Sequence, residues 1–244
     1  MTKKTKQRQL PPERIREFHH AGFIRDQVDH FQRLAAGVAS SEHFVVDVGG
    51  GVGRFAEALS NCSGLKVRVL DRDEGSVILA RAKGIEAEVG DACDPCIRGD
   101  ESFVTLNLVL HHLVGSSERV TRDLQKQALC SWADSNTKVF VNEYIYESSI
   151  ISGFASSVIY GVTKSSFLSL ILNIVSSVLP SLRANTSGVG VRFRPSADWR
   201  VVFKDAGLDV DGYVRGDEER IPLLLRLLLV KSIRRDSWLL KNAE

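Results

Sequence analysis

Four cysteines in 244 residues, Cys62, Cys93, Cys96 and Cys130, are too few and too irregularly spaced for a disulfide framework. No apolar signal segment opens the sequence, so a reducing cytoplasm is the expected setting. Excess charge of one sign is also missing. The formal net charge is +2, which builds no broad basic face and gives no reason to expect nucleic acid. What positive charge there is sits locally, where Lys3, Lys4, Lys6 and Arg8 make residues 1–12 a solvated, disordered tail. There is no internal repeat, and low complexity is limited to a serine bias over residues 148–177. The one long uncharged run, residues 165–182, is short for a membrane span and is striped with Ser166, Ser169, Asn173, Ser176 and Ser177. A helix lying on a membrane surface would carry Lys or Arg on that stripe, and this one has neither.

At 43% hydrophobic and 25% charged, the chain can bury a core unaided, and residues 13–244 read as a single domain. Its organising stretch is residues 43–53, His-Phe-Val-Val-Asp-Val-Gly-Gly-Gly-Val-Gly. A short β-branched run holding one acid, Asp47, breaks into Gly49, Gly50, Gly51 and Gly53, as a buried strand does when it turns over a ligand into a helix. The free N–H groups of that helix would face whatever sits on the turn. A dinucleotide fingerprint needs a small residue at the position occupied by Arg54, so a nicotinamide cofactor is disfavoured.

Ahead of the turn, Ile15, Phe18, Phe23, Val28, Phe31, Leu34 and Ala35 fall at mostly helical spacing, which predicts a helical cap over residues 13–42, hinged near Gly22. After it, strands are expected over 66–70, 85–89, 103–106 and 138–141, and helices over 75–83, 117–132 and 196–205. Two closing strands, 208–214 and 223–233, should form an antiparallel pair at the sheet edge. This alternation argues for a mostly parallel α/β sheet with helices on both faces and its sites at the C-terminal ends of the strands.

Five spaced segments together resemble the class I S-adenosylmethionine-dependent methyltransferases, particularly members acting on small molecules. They are residues 45–53, Leu70-Asp71-Arg72-Asp73, Gly90-Asp91-Ala92, Leu110-His111-His112-Leu113, and residues 192–208 with Arg192-Phe193-Arg194, Asp198-Trp199 and Ala206-Gly207-Leu208. The resemblance implies a seven-stranded sheet with the last strand antiparallel and S-adenosylmethionine across the ends of the first strands. It implies that Gly49, Gly50, Gly51 and Gly53 admit the methionyl part, with Asp47 near its amine. Asp71, with Arg72 beside it, would take the ribose hydroxyls. Asp91 and the Ala92 N–H would read adenine, and Asn107 and Leu108 would close the floor beneath the methyl group.

Methyl transfer is an in-line displacement that depends mainly on alignment, and a base is required only where the nucleophile must lose a proton. His111, His112 and Glu143, with Tyr144 beside it, are the candidates for that base, although the two histidines equally suit packing and helix-capping roles. Cys93-Asp94-Pro95-Cys96 has metal or redox spacing but no second pair, and is read as loop thiols with no metal site. Residues 147–192 form a helical insertion after the fifth strand. Its apolar stripe, Leu168, Ile171, Leu172, Val175 and Leu179, is expected to lie over the site as a lid or to support a homodimer. The function expected is methylation of a small, largely apolar acceptor, with oxygen favoured. The rivals are a non-catalytic methyltransferase-like binding or scaffold protein and an RNA methyltransferase. The latter is disfavoured because no Pro-Pro-aromatic segment follows Asn107.

Overall fold

The run of Val45, Val46 and Val48 forms strand β1 (Phe44–Val48), and its residues are buried on alternating faces. Val45 joins one apolar cluster, Val46 and Val48 the other, so β1 lies in the middle of the sheet with both faces covered. A computed structural model describes residues 21–37, 42–133, 137–149, 157, 160–161, 191–227 and 229–243. Helix α1 (Ala21–Leu34) precedes β1, and α2 (Arg54–Ser63), β2 (Lys66–Asp71), α3 (Glu74–Ala82), β3 (Glu86–Val89) and β4 (Glu101–Asn107) follow it. A 3-10 turn (Leu110–His112) then leads to α4 (Glu118–Ala133), β5 (Lys138–Ser148), α5 (Ser196–Asp205), β6 (Leu208–Val214), α6 (Leu223–Leu227) and β7 (Val230–Asn242).

The seven strands lie in the order β3-β2-β1-β4-β5-β7-β6, with β7 antiparallel to both of its neighbours. This is the predicted sheet, and its chain direction reverses between β1 and β4. At such a switch point the loops at the strand ends part and leave a crevice. On one face, Leu129 and Trp132 of α4 pack with Trp199 and Phe203 of α5. On the other, Phe31 of α1 meets Phe55, Phe103 and Phe140 edge-on at ring-centroid distances of 6.2, 5.4 and 5.4 Å.

Two strand expectations are corrected. β5 runs to Ser148 rather than ending near Val141, because antiparallel β7 continues to pair with it out to that residue. The final strand is not residues 223–233. Pro222 starts the short helix α6, whose Leu225 and Arg226 N–H groups donate to the Pro222 carbonyl, and the strand begins at Val230. The charges this strand carries beyond residue 233 are paired: Arg234 with Asp236 at 3.0 Å, and Arg235 with Asp26 and Glu219, both at 3.0 Å. The tail at 1–12, the start of the helical cap and the uncharged run at 165–182 lie outside the described residues.

Phe31 is fully buried, so Phe31→Ala should cost roughly 3–5 kcal/mol. In a domain of this size that corresponds to a fall of about 10 °C in Tm. Differential scanning calorimetry would check it, and a shift under about 2 °C would mean that α1 is not docked on the sheet as described.

Candidate functional site

The cleft is built around Asp47, next to last in β1 and 1% exposed. Strand register sets Thr105 of β4 beside it, and the Thr105 hydroxyl donates to Asp47 Oδ1 at 2.8 Å. Asn107, two residues on and so on the same face, donates from Nδ2 to the same oxygen at 3.2 Å. Asp47 Oδ2 and Asn107 Oδ1 are both buried and have no hydrogen-bond partner among the described residues. Burial pushes the Asp47 carboxyl up to about 7, against the lowering effect of the Thr105 and Asn107 hydrogen bonds. The chain passes so close that a Cβ at Gly50 would collide with the Asp47 carboxylate.

Gly51 is different. Its φ of 56° is left-handed and nothing lies where its Cβ would be, so the turn is open on that side. Its N–H donates to Asp71 Oδ2 at 2.8 Å, while Asp71 Oδ1 accepts the Asp73 N–H at 2.8 Å. The Arg72 backbone adds a third bond, which leaves the carboxylate some lone-pair capacity, and burial raises the carboxyl above its ordinary value despite these bonds. Opposite, Leu108 holds a φ of 57°, a strained conformation for a residue with a γ-branched side chain, and its N–H donates to the Asn142 carbonyl at 2.8 Å.

Together Asp47, Gly49, Gly50, Gly51, Asp71, Asn107, Leu108 and His112 line one cleft enclosing about 240 Å³. That is below the range for a whole drug-sized ligand, so a larger molecule would extend beyond it. Sequence reasoning missed part of this wall. Phe23, Ile24 and Gln27 of α1 contribute, as do Asp73 and Ser76, where Asp73 caps α3 by accepting the Ser76 N–H at 2.8 Å. The capping pattern was readable from Asp73 onward. The approach of α1 is a non-local contact with no signal in the local sequence.

Beyond Leu108 the chain enters the 3-10 turn that carries both histidines. His111 is buried and its Nδ1 lies 2.7 Å from Oε2 of Glu143, which is fully buried. Glu143 Oε1 accepts the Leu110 N–H at 2.6 Å. Among the described residues no hydrogen bond reaches His111 Nε2. The His112 ring is 4.1 Å from that of His111, and burial, followed by His111, holds it far below the ordinary imidazole range, hence neutral. Phe193 stacks on His111 at 5.0 Å and on Tyr146 at 4.4 Å, with Tyr144 edge-on to His111 and Phe193. Burial pushes the Tyr144 phenol up to about 12 and raises Tyr146 as well, so both remain O–H donors.

No family model and no curated protein sequence matches this chain. Solved structures match in fold. The mitomycin 7-O-methyltransferase MmcR is 16% identical with a TM-score of 0.56, over 91% of this chain and 55% of that one. The structure of LepI in complex with SAM is 13% identical with a TM-score of 0.54, over 87% and 46%. The complex between the Haloferax volcanii Trm112 methyltransferase activator and a putative methyltransferase gives 17% and 0.55, over 91% and 92%. The chain has the class I methyltransferase fold. It spans about half the length of the first two of these chains.

Within this class I methyltransferase fold, the other expected site residues stand apart from the cleft wall. Gly53 starts α2 in a left-handed conformation and faces Ile85. Arg72 and Asp91 are exposed and Ala92 packs on the core beside Val109. Asp91 turns onto its own loop, accepting the Cys93 N–H at 2.9 Å. Cys93 and Cys96 are free, and burial pushes the Cys93 thiol up to about 11, which keeps it protonated near neutral pH. Among the described residues no group of three or more His, Cys, Asp or Glu is arranged to hold a metal ion, and no helix is long and apolar enough to cross a membrane.

Because the folded-state value of Asp47, about 7, lies above the ordinary 3.8, its contribution to stability is complete below 3.8 and is lost as the pH rises through 7. Asp47→Asn removes that loss, up to a ceiling of roughly 4 kcal/mol. The margin by which the variant outmelts the ligand-free wild type should therefore widen from about pH 4 to 7 and level off above it. A difference in Tm that is flat across this range would contradict the burial of an ionisable group here.

Proposed function

We propose that this chain is an S-adenosylmethionine-dependent methyltransferase acting on oxygen of a small, largely apolar acceptor, with His111 as the general base. The observation that carries the reading is the pair of orphaned acceptors, Asp47 Oδ2 and Asn107 Oδ1, in the wall of a glycine-lined cleft at the sheet's switch point. Two buried acceptors without donors call for a ligand that brings them, and an ammonium group supplies both donors and the charge that would ionise Asp47. Asp71 offers its remaining lone pairs to a diol. Neutral His112 sets no cation against a sulfonium. When bound, S-adenosylmethionine supplies an electrophilic methyl group and departs as a neutral thioether. Arg72, Asp91 and the Ala92 N–H serve the adenine and ribose end outside the enclosed part of the cleft.

The chain's own contribution is alignment and removal of a proton. Glu143 fixes the His111 imidazole through Nδ1, which leaves Nε2 to accept the acceptor's hydroxyl proton. The imidazolium formed would be stabilised by the same carboxylate. Tyr144, Tyr146 and Phe193 give this side of the site an aromatic surface suited to an apolar, planar acceptor. The free cysteines fit activity in a reducing cytoplasm.

Isothermal titration separates this reading from a non-catalytic relative. Wild type should bind S-adenosylmethionine, and Asp71→Ala should weaken binding roughly tenfold or more by leaving two hydroxyls without a charged acceptor. With a panel of phenols as acceptors, His111→Ala should lower turnover about 100-fold and change cofactor affinity less than twofold. Absence of cofactor binding by the wild type would remove the proposal, and full turnover by His111→Ala would remove the base.

A further inference from the structure

Besides Glu143, His112 and Tyr144, one short strap, Val191 to Arg194, constrains His111. The Arg192 N–H donates to the His111 carbonyl at 2.9 Å, and Phe193 stacks on the imidazole with ring centroids 5.0 Å apart. Arg194 Nε donates at 2.9 Å to Gln125 Oε1, while Gln125 Nε2 donates at 3.0 Å to the Leu110 carbonyl. The strap is itself held twice. Its Arg194 carbonyl accepts the Tyr146 N–H at 3.3 Å, pinning it beside β5. Glu118, at the start of α4, then takes one guanidinium on each oxygen, Arg192 on Oε2 at 2.7 Å and Arg194 on Oε1 at 2.8 Å.

This is poorly explained as stabilisation alone. The shared carboxylate is 44% exposed while Arg192 and Arg194 are buried, Arg194 with Nη2 unpartnered among the described residues, so the pairs only partly offset the cost of taking two guanidiniums out of water. What the arrangement does achieve is to hold the ring by stacking, by Nδ1 and by the adjoining peptide groups, while no hydrogen bond among the described residues reaches Nε2. We infer that Phe193, latched through Arg192 and Arg194 to Glu118, is a positioning residue that holds the His111 ring in the orientation giving Nδ1–H to Glu143 and Nε2 to the proton in transit. The inference rests on the proposed role of His111 as base. It adds that a residue far along the chain holds the ring where Glu143 can set the base's tautomer.

The test needs no acceptor. Long-range proton–nitrogen NMR correlations on the full chain labelled at histidine nitrogens report the tautomer of each ring, recorded at a pH where the imidazoles are neutral. Wild type should show His111, assigned by its loss in His111→Ala, as the Nδ1–H form. Phe193→Ala should reduce that preference roughly fivefold or more, since water then competes for Glu143, and Phe193→Tyr should restore it. Glu118→Gln keeps the side chain's size and one acceptor where the carboxylate provides two, so it loosens the latch without emptying its space; it should shift the tautomer the same way, with its fold checked by circular dichroism. If Phe193→Ala does not fold, Glu118→Gln decides the matter. Folded variants with an unchanged His111 spectrum overturn the positioning role and leave the His111–Glu143 dyad intact. A wild-type His111 without the Nδ1–H form overturns the dyad itself, and the inference with it.

Discussion

A carboxylate buried at the end of a central strand is the constraint on which the rest of this molecule depends. Asp47 lies among strands and helices, so its charge is costly, and its neighbours each answer that cost differently. Thr105 and Asn107 of the adjacent strand donate to one of its oxygens, and Gly50 leaves room for the other. The result is partial satisfaction. One oxygen is left without a donor among the described residues, on a side chain that lines the cleft. Burial of an incompletely satisfied acid lowers the stability of the ligand-free fold and favours any cation that completes the set. On this account the same residue that weakens the empty protein selects its ligand.

The topology makes that residue usable. Because the chain leaves β1 in one direction and returns to β4 on the other side, the glycine turn and the Asn107-Leu108 turn separate and expose the strand ends between them. α1 then closes the crevice from above through Phe23, Ile24 and Gln27. It is held there by Phe31 beneath the sheet and by Arg235, which pairs with Asp26 and stacks its guanidinium 3.9 Å from the Phe23 ring centre. On the far side of Asn107 the same turn delivers the histidines, so ligand cleft and dyad are joined by five residues of backbone, with the strained Leu108 between them.

How far the sequence made this legible depended on how local each signal was. The glycine turn, Asp71 about twenty residues on and the helices at 117–132 and 196–205 are readable because each is fixed by its own neighbours. β7 is not readable from composition. Its apolar prefix, Leu223 to Leu227, forms a helix behind Pro222, while the strand carries Arg234, Arg235 and Asp236, whose burial depends on partners as distant as Asp26. β5 was cut short for a related reason, since the pairing of Tyr144 to Ser148 is dictated by that unrecognised partner strand. The candidate site follows the same rule. His111, His112 and Glu143 are visible as residue types at strand ends, whereas the bond between His111 and Glu143 and the stacking of Phe193 arise from contacts across 32 and 82 positions of chain.

The central claim is that Asp47 is protonated in the empty cleft near neutral pH and ionises against a bound cation. Titration calorimetry with S-adenosylmethionine at pH 6.5, repeated in buffers of different ionisation enthalpy, counts the protons exchanged on binding. Wild type should release roughly half a proton or more per cofactor bound, and Asp47→Asn should release almost none. Binding without proton release in the wild type, or equal release by both proteins, would contradict the account.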